Sequence, residues 1–118
     1  MTLFQQAQDE STAAGILESL ARSDNPTIRE MTMSNPSAPE KAWEGVENDE
    51  VWWVRLAAAQ NPNAPAEALT RLSADPVDVV RQSVAQHRNV PSKTLTVLTT
   101  DTRSEVRGSA KAMVRAAG

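Results

Sequence analysis

The spacing of apolar residues along the chain predicts pairs of short helices. In one segment, Ala68 and Leu72 lie one helical turn apart on the same face. In the next segment, Val77, Val80 and Val84 follow at i, i+3 and i+7 and form a second apolar stripe. No segment alternates apolar and polar residues with the period of two that is typical of strands. The pattern therefore predicts an all-α protein.

The same pattern recurs every 26 residues. An arginine preceded by valine or isoleucine occurs at Arg29, Arg55, Arg81 and Arg107. Three further residue types keep this period. Proline occurs at Pro39, Pro65 and Pro91, and aspartate occurs at Asp49, Asp75 and Asp101. Leucine occurs at Leu17, Leu69 and Leu95, and Trp43 takes the remaining leucine position. We therefore predict four copies, at 11–36, 37–62, 63–88 and 89–114. Residues 1–10 form an N-terminal extension, and residues 115–118 form a tail.

Each copy is expected to hold two helices. Pro65 suits the first turn of the shorter helix, and Asp75 is a good N-cap before Pro76 for the longer one. The recurring aspartates could also be interpreted as a line of metal-binding carboxylates, but N-capping explains them without a metal. A single helix pair cannot bury its own apolar stripe, whereas four stacked pairs can. We therefore predict an α-solenoid of four two-helix repeats, a single domain over 1–118 with a length of roughly 40 Å.

The repeat also resembles a known family. The string from Val54 to Pro65 is followed at the same spacing by Leu69, Leu72, Asp75–Pro76 and Val80–Arg81, and together they resemble the variant leucine-rich repeat over about residues 13–112. The resemblance implies a right-handed superhelix in which an α-helix alternates with a shorter helix, α or 3₁₀. Some members carry a cysteine-rich iron–sulfur segment. This chain contains no cysteine, so no cofactor is expected.

Composition narrows the functional classes. The net charge of −3 favours neither nucleic acid nor an anionic membrane as a partner. No apolar run approaches the roughly 20 residues of a membrane span, and no signal peptide is evident, so a cytoplasmic protein is predicted. His87 is the only histidine, and no catalytic triad, phosphate-binding loop or metal-ligand set is apparent. We expect a protein that is not an enzyme, with no catalytic, metal-binding or cofactor-binding residues.

The four repeated arginines allow two interpretations. Arg29, Arg55, Arg81 and Arg107 could form a line of guanidinium groups that binds an acidic peptide or a phosphate backbone. Alternatively they are structural, with stems packed beside the core and guanidinium groups bonded to loop carbonyls or to the neighbouring copy's aspartate. The structural interpretation is favoured, and nucleic-acid binding along the arginines is kept as the alternative function.

The residues that break the repeat are the candidates for partner binding. Trp52 replaces Pro26, Asp78 and Ser104 at its position, so it should face solvent beside Trp53, although it could instead cover a neighbouring loop. Acidic residues surround this pair at Glu44, Glu47 and Glu50, whereas copy four and the tail are basic. The expected function is a non-catalytic protein–protein interaction module or scaffold. Its partner is another protein, and a second copy of the chain is a further candidate.

Overall fold

A computed structural model describes residues 1–117, and this part of the chain is built from helices. The α-helices are α1 (Leu3–Gln8), α2 (Ala14–Leu20), α3 (Pro26–Met33), α4 (Trp52–Gln60), α5 (Ala66–Leu72), α6 (Asp78–Ala85), α7 (Ser92–Leu98) and α8 (Ser104–Ala117). Two 3₁₀ segments, Glu40–Trp43 and Val46–Asn48, lie between α3 and α4. No strand occurs within residues 1–117, so the all-α prediction is confirmed. The molecule measures 44 × 26 × 18 Å.

The longer helices begin at the predicted spacing and pack in chain order. Helices α3, α4, α6 and α8 start 26 residues apart, and each contacts the next, while α1 contacts α3. Alanines such as Ala58, Ala59 and Ala85 are fully buried in the main core cluster, where small side chains allow close helix approach. A second cluster joins Ala7 of α1 to Leu17 and Ile28. Burial between successive helices therefore holds the described part of the chain together.

The second copy differs from the others in its shorter helix. Copies one, three and four have α2, α5 and α7, whereas copy two has the two 3₁₀ segments separated by Gly45. Gly45 has a φ of 77°, a left-handed conformation that interrupts an α-helix and that glycine adopts without steric cost. Trp43 lies in the first segment and is buried, which confirms its predicted place in the core. Both forms of the shorter helix thus occur in this chain.

The end of α4 and the start of α6 can be compared with the sequence. Helix α4 ends at Gln60, directly before Asn61–Pro62. Helix α6 begins at Asp78 with Val77 as its N-cap, so the prediction that Asp75 is the N-cap is wrong. The Asp75 carboxylate instead accepts the Val77 N–H at 2.9 Å and closes a turn before the helix. The Asp75 carbonyl oxygen accepts a side-chain bond from Arg81, which holds this turn outside the helix.

The two ends of the chain also contain helices. Helix α1 carries a capping box in which the Gln5 N–H bonds to Thr2 Oγ1 at 3.1 Å and the Thr2 N–H bonds to Gln5 Oε1 at 2.8 Å. Helix α8 runs on to Ala117 because no Asn–Pro pair stops it. Across residues 1–117, no helix combines the length and apolar character needed to cross a bilayer.

Candidate functional site

Three of the repeated arginines form two-pronged ion pairs with the next copy's aspartate. Arg55 donates to Asp75 from Nε at 2.6 Å and from Nη2 at 3.3 Å. The same geometry joins Arg29 to Asp49, at 2.9 and 3.2 Å, and Arg81 to Asp101, at 2.8 and 3.0 Å. We call each of these pairs a rung. A planar guanidinium suits this arrangement because its Nε and Nη2 hydrogens match the two carboxylate oxygens.

Each rung also anchors its own loop. The Nη1 group of Arg29 donates to the carbonyl of Ser23 at 2.8 Å, and Arg81 and Arg107 make the equivalent bonds to Asp75 and Asp101 at 2.8 Å. One arginine thus ties the loop before its helix to the loop of the following copy. The central rung is the most enclosed, since the Asp75 side chain is only 1% exposed. The guanidinium groups of Arg29, Arg55 and Arg81 are therefore occupied by the protein's own carboxylates.

The last arginine has no following aspartate within the described residues. Arg107 keeps the Nη1 bond to the Asp101 carbonyl, but over residues 1–117 its Nε and Nη2 have no hydrogen-bond partner in the chain. It is partly exposed on α8. The guanidinium edge that binds a carboxylate in the three rungs is therefore open at Arg107.

The rung at Asp101 predicts an acid-sensitive contribution to stability. The hydrogen bond from Arg81 lowers the pKa of Asp101 below its ordinary value of 3.8, with the Arg103 N–H adding to the effect. A carboxylate whose folded-state pKa is depressed adds stability above its unfolded pKa and loses it as the pH falls through the folded value. We expect Asp101→Asn to lower stability at neutral pH and to flatten the loss below about pH 4.

Urea unfolding of the wild type and Asp101→Asn over a series of pH values checks this prediction. The asparagine retains an oxygen that can accept the Arg103 N–H, so the loop bond at 2.9 Å is preserved while the charge is removed. The two stability curves should converge in acid. Curves that stay parallel at every pH would show that the ionised carboxylate adds nothing.

A second ladder of buried side chains runs beside the rungs, and sequence reasoning missed it. Asn61 donates from Nδ2 to the carbonyls of Met33 at 2.7 Å and Asn35 at 3.0 Å in the preceding copy. Asn35 donates in the same way to the carbonyls of Ala7 and Asp9, at 2.8 and 3.0 Å. The signal in the sequence is the 26-residue spacing of the two asparagines. These bonds satisfy carbonyls at the ends of the preceding helices.

His87 continues the asparagine ladder in the third position, after Asn35 and Asn61. Its Nε2 bonds to the Asn61 carbonyl at 2.7 Å, and its Nδ1 accepts the Asn89 N–H at 2.9 Å. The two bonds together require the tautomer that carries its proton on Nε2. His87 is buried, so both bonds replace contacts with water. The ring takes the place of an asparagine in the structure.

We expect His87→Ala to lower the free energy of unfolding by about 1–3 kcal/mol, because it removes two hydrogen bonds. The Asn61 carbonyl keeps only the Ala64 N–H as a donor, and the Asn89 N–H loses its acceptor. His87→Asn should stay within about 0.5 kcal/mol of the wild type, because the amide can reproduce both bonds. Thermal or urea unfolding monitored by circular dichroism measures the two variants. Equal losses in both would contradict the structural role assigned to the ring.

The two tryptophans lie at the start of α4 and differ in exposure. Trp52 is 45% exposed, whereas Trp53 is half-buried and packs against the main core. Trp53 lines an open groove between α3 and α4. The groove is also lined by Glu30, Ser34, Leu56, Ala57, Gln60, Asn61 and Pro62. Trp53 therefore contributes to a groove with a partly apolar floor, whereas Trp52 is exposed and is not among the residues that line this groove.

The acidic residues of copy two do not share that groove. Glu44 lines a depression on the side of the 3₁₀ segments, together with Arg22 and Val46. Glu50 lines another, beside Asp24 and Asp49. Glu47 is held by Arg71, with its Oε1 accepting from Nε at 3.0 Å. Trp53, Glu44 and Glu50 thus line three different depressions.

Among residues 1–117, no group of three His, Cys, Asp or Glu side chains is placed to hold a metal ion. The repeated aspartates are directed to arginine and to backbone N–H groups. This part of the chain therefore contains two sets of internal bonds, the rungs and the asparagine ladder, and has open grooves on its surface.

Comparisons with known proteins bear on the repeat itself. The family model described as leucine rich repeat variant matches residues 52–77, a segment as long as one repeat. No curated protein and no solved structure gives a significant match. The matched segment contains Trp52, Arg55 and Asp75. The resemblance is therefore confirmed over residues 52–77, which match the model of the leucine rich repeat variant.

Proposed function

We propose that the chain is a non-catalytic protein-interaction module built as a right-handed solenoid of four repeats. The regular start of the longer helices and the rungs between copies support this architecture. A solenoid whose repeats contact only their neighbours offers an extended, rigid surface on which a partner can dock. Rigidity reduces the entropy lost on binding.

The observation that carries the function is the exposed Trp52, which directly precedes the groove-lining Trp53 at the start of α4. Three of the four repeated arginines, the aspartates that they bind, and the buried asparagines are engaged inside the molecule. Trp52, in contrast, breaks the repeat and lies exposed. Tryptophan supplies much of the binding energy in protein interfaces because a single side chain buries a large apolar area. Leu56 and Ala57 extend the apolar floor, and Glu30 and Gln60 supply a polar edge. The partner we propose is a protein segment that places an apolar side chain in this groove.

The acidic residues are assigned a secondary role. Glu44 and Glu50 are exposed and lie near Trp52 in the sequence, but they line other depressions than Trp53. Exposed charges at the edge of an interface change the rate and orientation of association more than its affinity. Nucleic-acid binding along the arginines is disfavoured because three of the four guanidinium groups already bind carboxylates.

Trp52→Ala is expected to weaken partner capture by about tenfold or more while leaving the melting midpoint nearly unchanged. The exposed ring contributes little to the core, so its removal should be felt mainly in binding. A photo-crosslinking amino acid at position 52 should capture a recurring protein from the native cell extract. The same amino acid at position 97 is the control, since Val97 is 67% exposed on α7.

Identical crosslinked proteins from both positions would argue against a specific surface at Trp52. A large fall in the melting midpoint of Trp52→Ala would show that the ring is structural. Ile16→Ala, at a residue that is 42% exposed in α2, controls for the removal of an exposed apolar side chain elsewhere. It should change neither the melting midpoint nor partner capture.

A further inference from the structure

We propose that Arg107, with Lys111, forms a docking site for an aspartate or glutamate side chain of another protein. The site is the guanidinium edge of Arg107 on α8, which has no partner within residues 1–117. It lies outside the groove lined by Trp53, so it is a second surface and does not depend on the function proposed above.

The three rungs show which ligand this guanidinium edge takes. In each rung the Nη1 group bonds to a loop carbonyl six residues earlier, and Nε and Nη2 bind one carboxylate. Arg107 makes the same Nη1 bond, to Asp101 at 2.8 Å, equal in length to that of Arg81. That bond orients the guanidinium before a ligand arrives. A pre-oriented group loses less freedom on binding, which favours a carboxylate at the open edge.

Basic residues on α8 replace residues that are apolar in the earlier copies. The position of Lys111 is occupied in the earlier copies by Met33, Ala59 and Ala85, which are buried. Lys111 is exposed, and Arg115 is exposed one turn further along the helix. Residues at i, i+4 and i+8 share a helix face, so Arg107, Lys111 and Arg115 form one cationic stripe. A partner with a single carboxylate at the edge of Arg107 and further acidic residues beside it matches this stripe.

A second copy of the chain fits this end less well. A head-to-tail copy would have to present an aspartate at the register of Asp49, Asp75 and Asp101. The first copy has Ser23 at that register, and its hydroxyl already accepts the Asn25 N–H at 3.1 Å. The proposed occupant is therefore an acidic segment of a different protein.

The test uses a fluorescent peptide that alternates aspartate and glycine, with an asparagine–glycine peptide as its control. We expect the acidic peptide to bind the full chain and to move the Nε–H NMR resonance of Arg107, while that of Arg55 stays in place. Arg107→Gln and Lys111→Gln should each weaken binding, the first by about fivefold to tenfold. Arg88→Gln removes an equal charge from an exposed arginine elsewhere and should leave binding unchanged.

Several results would overturn the proposal. Equal weakening by Arg107→Gln and Arg88→Gln would indicate general charge attraction. Tighter binding of a single-stranded oligonucleotide, lost in Arg107→Gln, would assign the site to phosphate. A dimer that Arg107→Gln dissociates in sedimentation would assign it to a second copy. Lys111→Gln keeps the Arg107–Asp101 bond and tests the site if Arg107→Gln is poorly folded, and Trp52→Ala should leave peptide binding intact.

Discussion

Replacing Asp75 by alanine is expected to lower the free energy of unfolding by about 3–5 kcal/mol. The Asp75 side chain is 1% exposed and its Arg55 partner 10%, so the substitution leaves a guanidinium group buried without its counter-charge. The Val77 N–H loses its acceptor as well. Burying an uncompensated charge costs far more than losing an exposed pair, because little water is available to solvate it. Urea unfolding followed by far-UV circular dichroism measures the loss.

Asp78→Ala is the matched control for this prediction. It breaks the ion pair between Asp78 and Arg103, whose side chains are 42% and 62% exposed at a separation of 3.1 Å. The expected loss is about 0.2–1 kcal/mol, since solvent screens an exposed pair and both side chains are mobile. The two aspartates lie three residues apart in the same copy. Equal losses from the two alanine variants would refute the buried rung as a main source of stability.

The 26-residue spacing made most of the helical architecture predictable. Apolar positions repeat because each copy meets the same neighbours, so the pattern predicts the helices and their ends. The 3₁₀ segments of copy two were harder to predict from the sequence, because they depend on Gly45 adopting a left-handed conformation. Glycine can adopt both hands, and the sequence alone does not say which one packing selects. The family resemblance left the shorter helix as α or 3₁₀, and the structure contains both.

The role of the repeated aspartates could be predicted only in part. An aspartate before a helical pattern is a good N-cap on local grounds, and Asp75 was interpreted that way. Its carboxylate bonds to the backbone two residues later and to Arg55, twenty residues earlier. The second bond depends on how one copy stacks on the next. Local sequence rules describe bonds along one segment only. The repeat made the contact between copies predictable, as the structural interpretation of the arginines, because every copy carries the arginine and three of the four carry the aspartate.

For the candidate site, comparison between copies predicted the exposure of Trp52, but it did not predict which residues share a surface. Trp52 was predicted to face solvent because residues at its repeat position are proline, aspartate and serine, and it is 45% exposed. The grouping of Trp53 with Glu44 and Glu50 rested on closeness in sequence. The turn at Gly45 and the loop before α4 direct these residues to different depressions. Sequence proximity within a copy is thus a poor guide to a shared surface in a chain that reverses direction every few residues.

Replacing Asn61 by alanine is expected to lower the free energy of unfolding by about 2–4 kcal/mol. Asn61 is 2% exposed, and its amide is the donor to the Met33 and Asn35 carbonyls. Alanine leaves the Met33 oxygen buried without a donor, whereas the Asn35 oxygen keeps the Ala38 N–H at 3.0 Å. The Asn63 N–H also loses its acceptor. The cost of an unsatisfied buried carbonyl exceeds the net value of a single hydrogen bond.

Asn63→Ala is the control variant that separates the effect of burial from the loss of a hydrogen bond between copies. Asn63 also donates across copies, to the Pro36 carbonyl at 2.8 Å, but it is exposed, so water can replace the lost amide. Its loss should be below about 1 kcal/mol. Urea unfolding of both variants gives the comparison, and comparable losses would refute the asparagine ladder. Because Asn61 receives the His87 bond through its main-chain oxygen, Asn61→Ala preserves that contact, and the deficit reports the bonds made by the Asn61 amide.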